Sequence, residues 1–179
     1  MDRRQFNRLG SLLLAGSFWP GKILYAETYL TVEHARQVLW GEISMRAIEV
    51  VLTRKQMKSI KKAARVNVRK QRINAWKTVT DGWFIVDNVI GKHENIDIAV
   101  ALGNQGEVKG IEVLVYRETY GDEVRHAKWL KQFHGKDYRR HLKLDRDIKN
   151  ISGATLSCRH ITDGINRLTH TWDQVLRYL

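Results

Sequence analysis

The strongest constraint on the fold lies between Gly82 and Tyr116. Three apolar stretches of strand length follow one another there, separated only by short polar turns. "GWFIVDNVIG" (Gly82–Gly91) is rich in aromatic and β-branched residues, the types a pleated, half-buried surface selects. In "NIDIAVALG" (Asn95–Gly103), Ile96, Ile98, Val100 and Leu102 alternate onto one face. "GNQGEVKGIEVLVY" adds a glycine-flanked turn and a third strand with Val108, Ile111, Val113 and Val115 as its apolar members. The alternation slips between Val108 and Ile111, which predicts a bulge at Gly110. Strands joined by such short turns form an antiparallel meander.

The flanking segments supply helices, so the expected class is α+β: a β-meander packed with helices. At the C-terminus Ile161, Ile165, Leu168, Trp172, Val175, Leu176 and Leu179 recur at steps of three and four, one continuous helical stripe. Upstream, Thr53-x-x-Gln56 is a capping-box pattern. Behind it Met57, Ile60 and Ala64 can face inward while Lys58, Lys61, Lys62 and Arg65 face water. Between meander and stripe, Tyr120-Gly121 reads as a turn. Asp122 is placed to cap a short helix that turns Val124, Leu130 and Phe133 one way and stops at Gly135.

A chain of 179 residues with one proline and 43% apolar content is long enough for one domain with a real core. Cys158 is its only cysteine, which excludes an internal disulfide, a metal-finger spacing and a haem-attachment motif. Residues 1–26 read as an export signal, leaving 27–179 as the domain. They hold a basic start, an apolar run from Leu9 to Trp19 that is short for a bilayer span, and a cleavage position after Ala26 with Leu24 where a small residue is usual. Arg3-Arg4-Gln5-Phe6 is similar to the bacterial twin-arginine export signal. The expected location is therefore periplasmic, with a membrane tether if the signal stays on.

The net charge is +12, of which residues 1–26 carry +3. Much of the remainder lies in "RKQMKSIKKAARVNVRKQRINAWK" (Arg54–Lys77). Two readings fit this stretch: a solvated helix face, or a surface that docks electrostatically to an acidic partner or anionic lipid. Nucleic acid is not expected, since no recognition motif accompanies the charge. His126, His134, His141 and His160 are scattered without metal-ligand spacing, and no Ser/His/Asp set or carboxylate pair is present.

"NISGATLSC" (Asn150–Cys158) delivers the chain into the N-terminus of the last helix. The first backbone N–H groups of a helix lack partners and the dipole is positive there, a setting that suits an anion. Gly153 and Ala154 have little bulk, and Ser152, Thr155 and Ser157 add hydroxyls. On these residues alone, a phosphate cradle and an ordinary Ser/Thr cap are both open.

"SGATLS" (Ser152–Ser157) resembles the Ser/Thr-Gly-Ala-Thr motif of FMN-binding domains, which occur in the sodium-pumping NADH:quinone reductase and in Rnf electron-transport complexes. "YRETYG" (Tyr116–Gly121) is similar to the family's Glu-Thr-x-Gly segment, and "WLKQFHGK" (Trp129–Lys136) to its Gln-Phe-x-Gly-Lys. The order and spacing agree across about Gly82 to Leu168, and less specifically from Val51 onward. The resemblance implies that Thr155 receives FMN through a phosphoester, made from FAD by a dedicated flavin transferase. It implies that Ser152, Gly153 and Ala154 surround the phosphate, with the Ser157 hydroxyl a further cofactor-binding candidate beside them. Glu118 and Thr119 match residues that lie against the isoalloxazine ring, and Trp129 and Lys136 match nearby positions. The family usually carries an aspartate close upstream of its motif. Here Lys149-Asn150 stand nearest, and Asp147 is the candidate. Tyr120 stands where the family often has proline.

The expected function is thus an exported one-electron carrier serving a quinone-linked membrane complex or a cytochrome. The alternatives are a flavin-dependent reductase with non-covalent FMN and a non-redox basic adaptor for an acidic partner or membrane surface. Cys158 is expected to be packed and reduced.

Overall fold

The computed structural model describes residues 27–179; the export-signal reading of 1–26 lies outside them. The chain forms β1 (Glu27–Thr28), α1 (Val32–Trp40), β2 (Met45–Val51), α2 (Arg54–Ala64), β3 (Arg72–Thr78), β4 (Trp83–Ile90), β5 (Asn95–Leu102) and β6 (Val108–Tyr116). Short turns of 3-10 helix at Asp122–Arg125 and Lys131–Phe133 flank α3 (Ala127–Leu130), and α4 (Thr155–Gln174) closes the fold with a last 3-10 turn at Leu176–Tyr178. The strands make one antiparallel sheet in the order β1-β6-β5-β4-β3-β2. The expected meander is therefore its β4–β5–β6 centre. Among the described residues no helix is long and apolar enough to cross a membrane.

The phase slip in β6 is a bulge. Ala101 pairs with Gly110 and Leu102 with Val108, which leaves Lys109 as the extra residue beside Gly110. A second register shift lies between Asp97 and Ile98. Side chains of one sheet face, among them Ile85, Ile96, Ile98, Val100 and Val113, pack beneath α2 and α4. Phe84, Ala99, Ala101 and Leu114 on the opposite face pack against Ala35 and Trp40 of α1. Ile161, Ile165, Leu168, Trp172, Val175 and Leu176 of the predicted stripe are buried, while the terminal Leu179 is exposed. Gly164 lets α4 settle on the sheet: a Cβ there would lie 2.6 Å from Val89 Cγ1.

The capping box at α2 is complete. Thr53 Oγ1 accepts from the Gln56 N–H, and the Gln56 carboxamide accepts from the Thr53 N–H. The basic face behind the cap lies on α2, with Ile60 and Ala64 buried and Lys58, Lys61, Lys62 and Arg65 exposed. Arg65 ends α2 in the left-handed conformation at φ 57, and from Arg72 the chain is strand β3. One expectation needs correction. The segment after Gly121 is not one helix capped by Asp122. Gly121 holds the cap position, Asp122 pairs instead with Arg125, and the path breaks into 3-10, α and 3-10 turns. Val124, Leu130 and Phe133 are nonetheless buried as expected, because each short turn still points its apolar member at the sheet.

Candidate functional site

The three motifs converge on the start of α4. Thr155 is the first residue of that helix, and Ala154 precedes it in a non-helical conformation with no side-chain cap. The Ser/Thr-cap reading therefore fails here. The Ala154 N–H donates to the Ile151 carbonyl, and the first helical bond is from the Cys158 N–H to the Ala154 carbonyl, so the N–H groups of Thr155, Leu156 and Ser157 between them keep the electropositive character of a helix start. Gly153 sits at φ +85, a conformation side chains rarely adopt, with open space where a Cβ would be. Ser152 and Gly153 are exposed, Thr155 half-buried and Ala154 buried.

Thr155 is not a free hydroxyl. The Asn150 carboxamide donates Nδ2–H to Thr155 Oγ1 at 3.0 Å, and Asn150 Oδ1 accepts the Ile151 N–H at 2.9 Å. Asp147, the aspartate nearest upstream, is occupied elsewhere. It accepts the Lys143 N–H and pairs with Arg140 and Arg146. Burial by itself raises this carboxyl, but the Lys143 N–H and the two guanidinium groups outweigh it and hold it below the usual range. Asp147 thus orders its own loop, and Asn150 takes the place beside Thr155.

The Glu-Thr-Tyr-Gly loop touches this start directly. Gly121, at φ +87, lies so close that a Cβ on it would sit 2.7 Å from Ala154 Cβ. Tyr116 Oη donates to the Tyr120 carbonyl at 2.7 Å. Its single hydrogen is then spent, so Ser157 Oγ is the donor in the 3.1 Å bond between the two hydroxyls. That bond ties β6 to the first turn of α4. Ser157 is therefore a buried brace beneath the loop. Thr119 is exposed two residues before Gly121. Glu118 turns back to the β4–β5 connection, where Oε1 accepts the N–H groups of His93 and Glu94 at 2.6 and 3.0 Å. Partial burial raises its pKa, and the backbone N–H groups of Glu94, His93 and Lys92 together bring it below the ordinary carboxylate value.

The third motif grips the loop from behind. Buried Trp129 donates its indole N–H to the Lys149 carbonyl at 2.7 Å, and the Gln132 carboxamide accepts the Lys149 N–H at 2.8 Å. Both polar groups of one peptide residue are fixed five positions before Ala154. Trp129 also packs edge-on against Phe133. Lys136 is not brought to the site. Its carbonyl accepts the Val108 N–H at the opposite end of β6 from Tyr116, about 25 Å along the strand. Sequence reasoning missed Gln132, Asn150, Tyr116 and Gly121 as site builders. Gln132 and Gly121 lie inside the quoted motifs, and Asn150 opens the quoted loop. Only the fold shows that Tyr116 reaches Ser157.

An open-backed glycine, an uncapped helix start and a threonine oriented by its neighbour form a cradle with the donors a phosphate needs. Residues 91–170, which contain all of these groups, match the model of the FMN-binding domain family. That stretch of the chain is similar to an FMN-binding domain. A similar protein is one component of the ion-translocating oxidoreductase complex of Shewanella piezotolerans, 34% identical over 90 residues. The aligned part is 44% of this chain and 42% of that relative, so the chain spans less than half of the relative's length. Among the described residues no three His, Cys, Asp or Glu side chains gather as a metal site. Cys158 is free and fully buried in the first turn of α4, packed as expected.

Proposed function

We propose that this chain is an exported flavoprotein that carries FMN on Thr155 through a phosphoester and transfers electrons singly. The observation that carries the reading is the meeting of the three motifs at one uncapped helix start, within the segment matched as an FMN-binding domain. When bound, FMN supplies the redox chemistry, taking up and giving back electrons one at a time. The chain's own residues supply placement. Asn150 holds Thr155 Oγ1 in position, and the first N–H groups of α4 offer donors to phosphate oxygens. The open space over Gly153 admits the phosphate, and the Gly121–Ala154 contact with the Tyr116–Ser157 bond keeps the two loops together. Thr119 and Glu118 lie on the adjoining loop, as a ring-contacting segment should. Attachment requires a flavin transferase. The electron partner is a membrane-bound, quinone-linked complex or a cytochrome, a context supported by the ion-translocating oxidoreductase complex for which the Shewanella relative is named.

The test is to express the chain with a flavin transferase and denature it in a gel. Flavin fluorescence that stays with the chain, and is absent from Thr155→Ala, is the expected result. Fluorescence lost from wild type on denaturation contradicts the covalent anchor. A second reading, non-covalent FMN in the same cradle, is favoured by one specific observation. Asp147 is spent on Lys143, Arg140 and Arg146, and the group facing Thr155 is an amide. In that case denaturation releases the colour while Thr155→Ala still binds flavin.

A further inference from the structure

β3 peels away from β4 while it stays paired with β2 as far as Arg72. The β3–β4 pairing stops at Asn74 opposite Val86, while β4 runs on to Ile90 with β5 as its only partner. The last residues of a central strand therefore have an unpaired edge. The Asn88 N–H, for example, is met by the Asp87 carboxylate at 2.8 Å and not by a strand. Beside this notch lies a cleft of about 480 Å³, bounded by the α2–β3 connection, the end of β4 and one side of α4. That volume is within the range of small-ligand sites, about 300–1,000 Å³.

The charge of the cleft is unbalanced. Arg65, Arg69, Lys70 and Arg167 line it against Asp87 and Asp163. Arg65, Arg69 and Lys70 are exposed and enter no ion pair among the described residues. Deeper in, Arg167 Nη2 lies 2.6 Å from Asp87 Oδ2, with both side chains largely buried on the helix-facing side of the sheet. The contact is an ion pair without hydrogen-bond alignment, and Asp87 Oδ2 has no hydrogen-bond partner. Among the described residues Asp87 is the one side-chain partner of the Arg167 guanidinium, which leaves its other N–H groups for a ligand. A charged pair on the core side of a central strand costs desolvation that a hydrophobic pair would avoid. Here it fixes a guanidinium at the base of a cleft whose rim is cationic. His160, whose Nδ1 is buried and unpartnered, also lines the cleft.

We propose that this cleft binds a small dianionic ligand, a phosphate monoester or a dicarboxylate, between Arg65, Arg69, Lys70 and Arg167 and against the free edge of β4. The surplus of two positive charges sets the ligand's charge. The guanidinium forks of three arginines suit the oxygen pairs of carboxylate or phosphate. Thr155 does not line this cleft, and the proposal stands apart from the flavin reading.

The experiment titrates the full chain with sodium phosphate and, separately, sodium succinate, following backbone amides by nitrogen-edited NMR at constant ionic strength set with sodium chloride. The expected result is saturable shifts at Asn88, Ile90, Arg69 and Lys70, with affinity weakened about tenfold or more in Arg69→Ser/Lys70→Ser, as loss of charge-assisted contacts predicts. Both side chains are exposed, so the variant keeps the fold. Saturation by phosphate alone identifies a phosphate ester, by succinate alone a dicarboxylate, and by both a general dianion site. Shifts that do not saturate, that spread equally over Lys55, Lys58 and Lys62, or that persist unchanged in the double variant overturn the proposal. Saturable shifts confined to Gly153, Thr155 and Leu156 report the cradle at the start of α4 instead and also overturn the proposal, which separates this cleft from the flavin site.

Discussion

Asn150 Nδ2 donates to Thr155 Oγ1 across 3.0 Å, which makes the threonine oxygen an acceptor and leaves its own hydrogen for another partner. An amide therefore orients the proposed attachment atom. Asn150→Ala removes the bond at a cost of about 1 kcal/mol in folding stability. It also lets the Thr155 rotamer wander, so flavin attachment slows. Asn150→Asp replaces the donor with an acceptor for the Thr155 hydrogen and attaches flavin at least as fast as wild type. A time course of in-gel flavin fluorescence with a co-expressed transferase distinguishes the variants. Equal rates in all three proteins contradict the positioning role.

Trp129 and Gln132 hold the carbonyl and the N–H of Lys149. Trp129→Phe keeps most of the buried ring and drops the indole donor. It is expected to cost about 1–3 kcal/mol, the penalty for an unmet polar group. Trp129→Ala adds a cavity and costs about 3–5 kcal/mol. Urea denaturation checks both. If Trp129→Phe matches wild type in stability and in flavin attachment, the Lys149 grip is dispensable.

Gly121 combines φ +87 with a near contact to Ala154. Gly121→Ala meets both obstacles: about 1–2 kcal/mol for the left-handed backbone, and a Cβ that must push the Ala154 loop aside. The expected result is lower stability together with reduced flavin attachment. Gly153→Ala shares the backbone cost but meets open space, so its effect on stability is the smaller of the two. Thermal unfolding of both variants tests the ranking, and a larger loss in Gly153→Ala contradicts the loop contact.

Asp147 is held ionised below its ordinary value by Lys143, Arg146 and Arg140. A carboxyl depressed in the folded state contributes stability above its unfolded pKa, about 3.9, and that contribution is lost as pH falls through the lower folded value. Stability is therefore expected to be level from neutrality to about pH 5 as far as this group is concerned, and to fall below about pH 4. Asp147→Asn is less stable than wild type at neutral pH, and the gap closes in acid. A constant gap between the two proteins at every pH contradicts the role given to the carboxylate.

Elements with a strong period were legible in the sequence: the β4–β5–β6 alternation, the α4 stripe, the α2 capping box and, to within one residue, the β6 bulge. β2 and β3 were not. β2 is the terminal strand and largely exposed, and β3 alternates only through Arg72-Ile73-Asn74-Ala75 before Trp76 and Lys77 break the phase, so neither shows the pattern of a half-buried strand. The long path from His134 to Ala154 was also hidden. It has no regular elements beyond an isolated bridge between Leu144 and Ile148. Side-chain bonds to backbone hold it instead. Asn166 takes both polar groups of Leu142, Asp147 takes the Lys143 N–H, and Trp129 with Gln132 takes Lys149. Such bonds have no period. The motifs pointed to the start of α4, but the parts played by Asn150, Ser157 and Glu118 depend on which groups the fold sets opposite them.

The central claim is attachment at Thr155, and the intact mass of the chain tests it most directly. Protein made with a flavin transferase present is predicted to gain the mass of FMN less water on one peptide containing Thr155, and Thr155→Ala to gain nothing. An unmodified wild-type mass under those conditions, or an unchanged adduct in Thr155→Ala, contradicts the account.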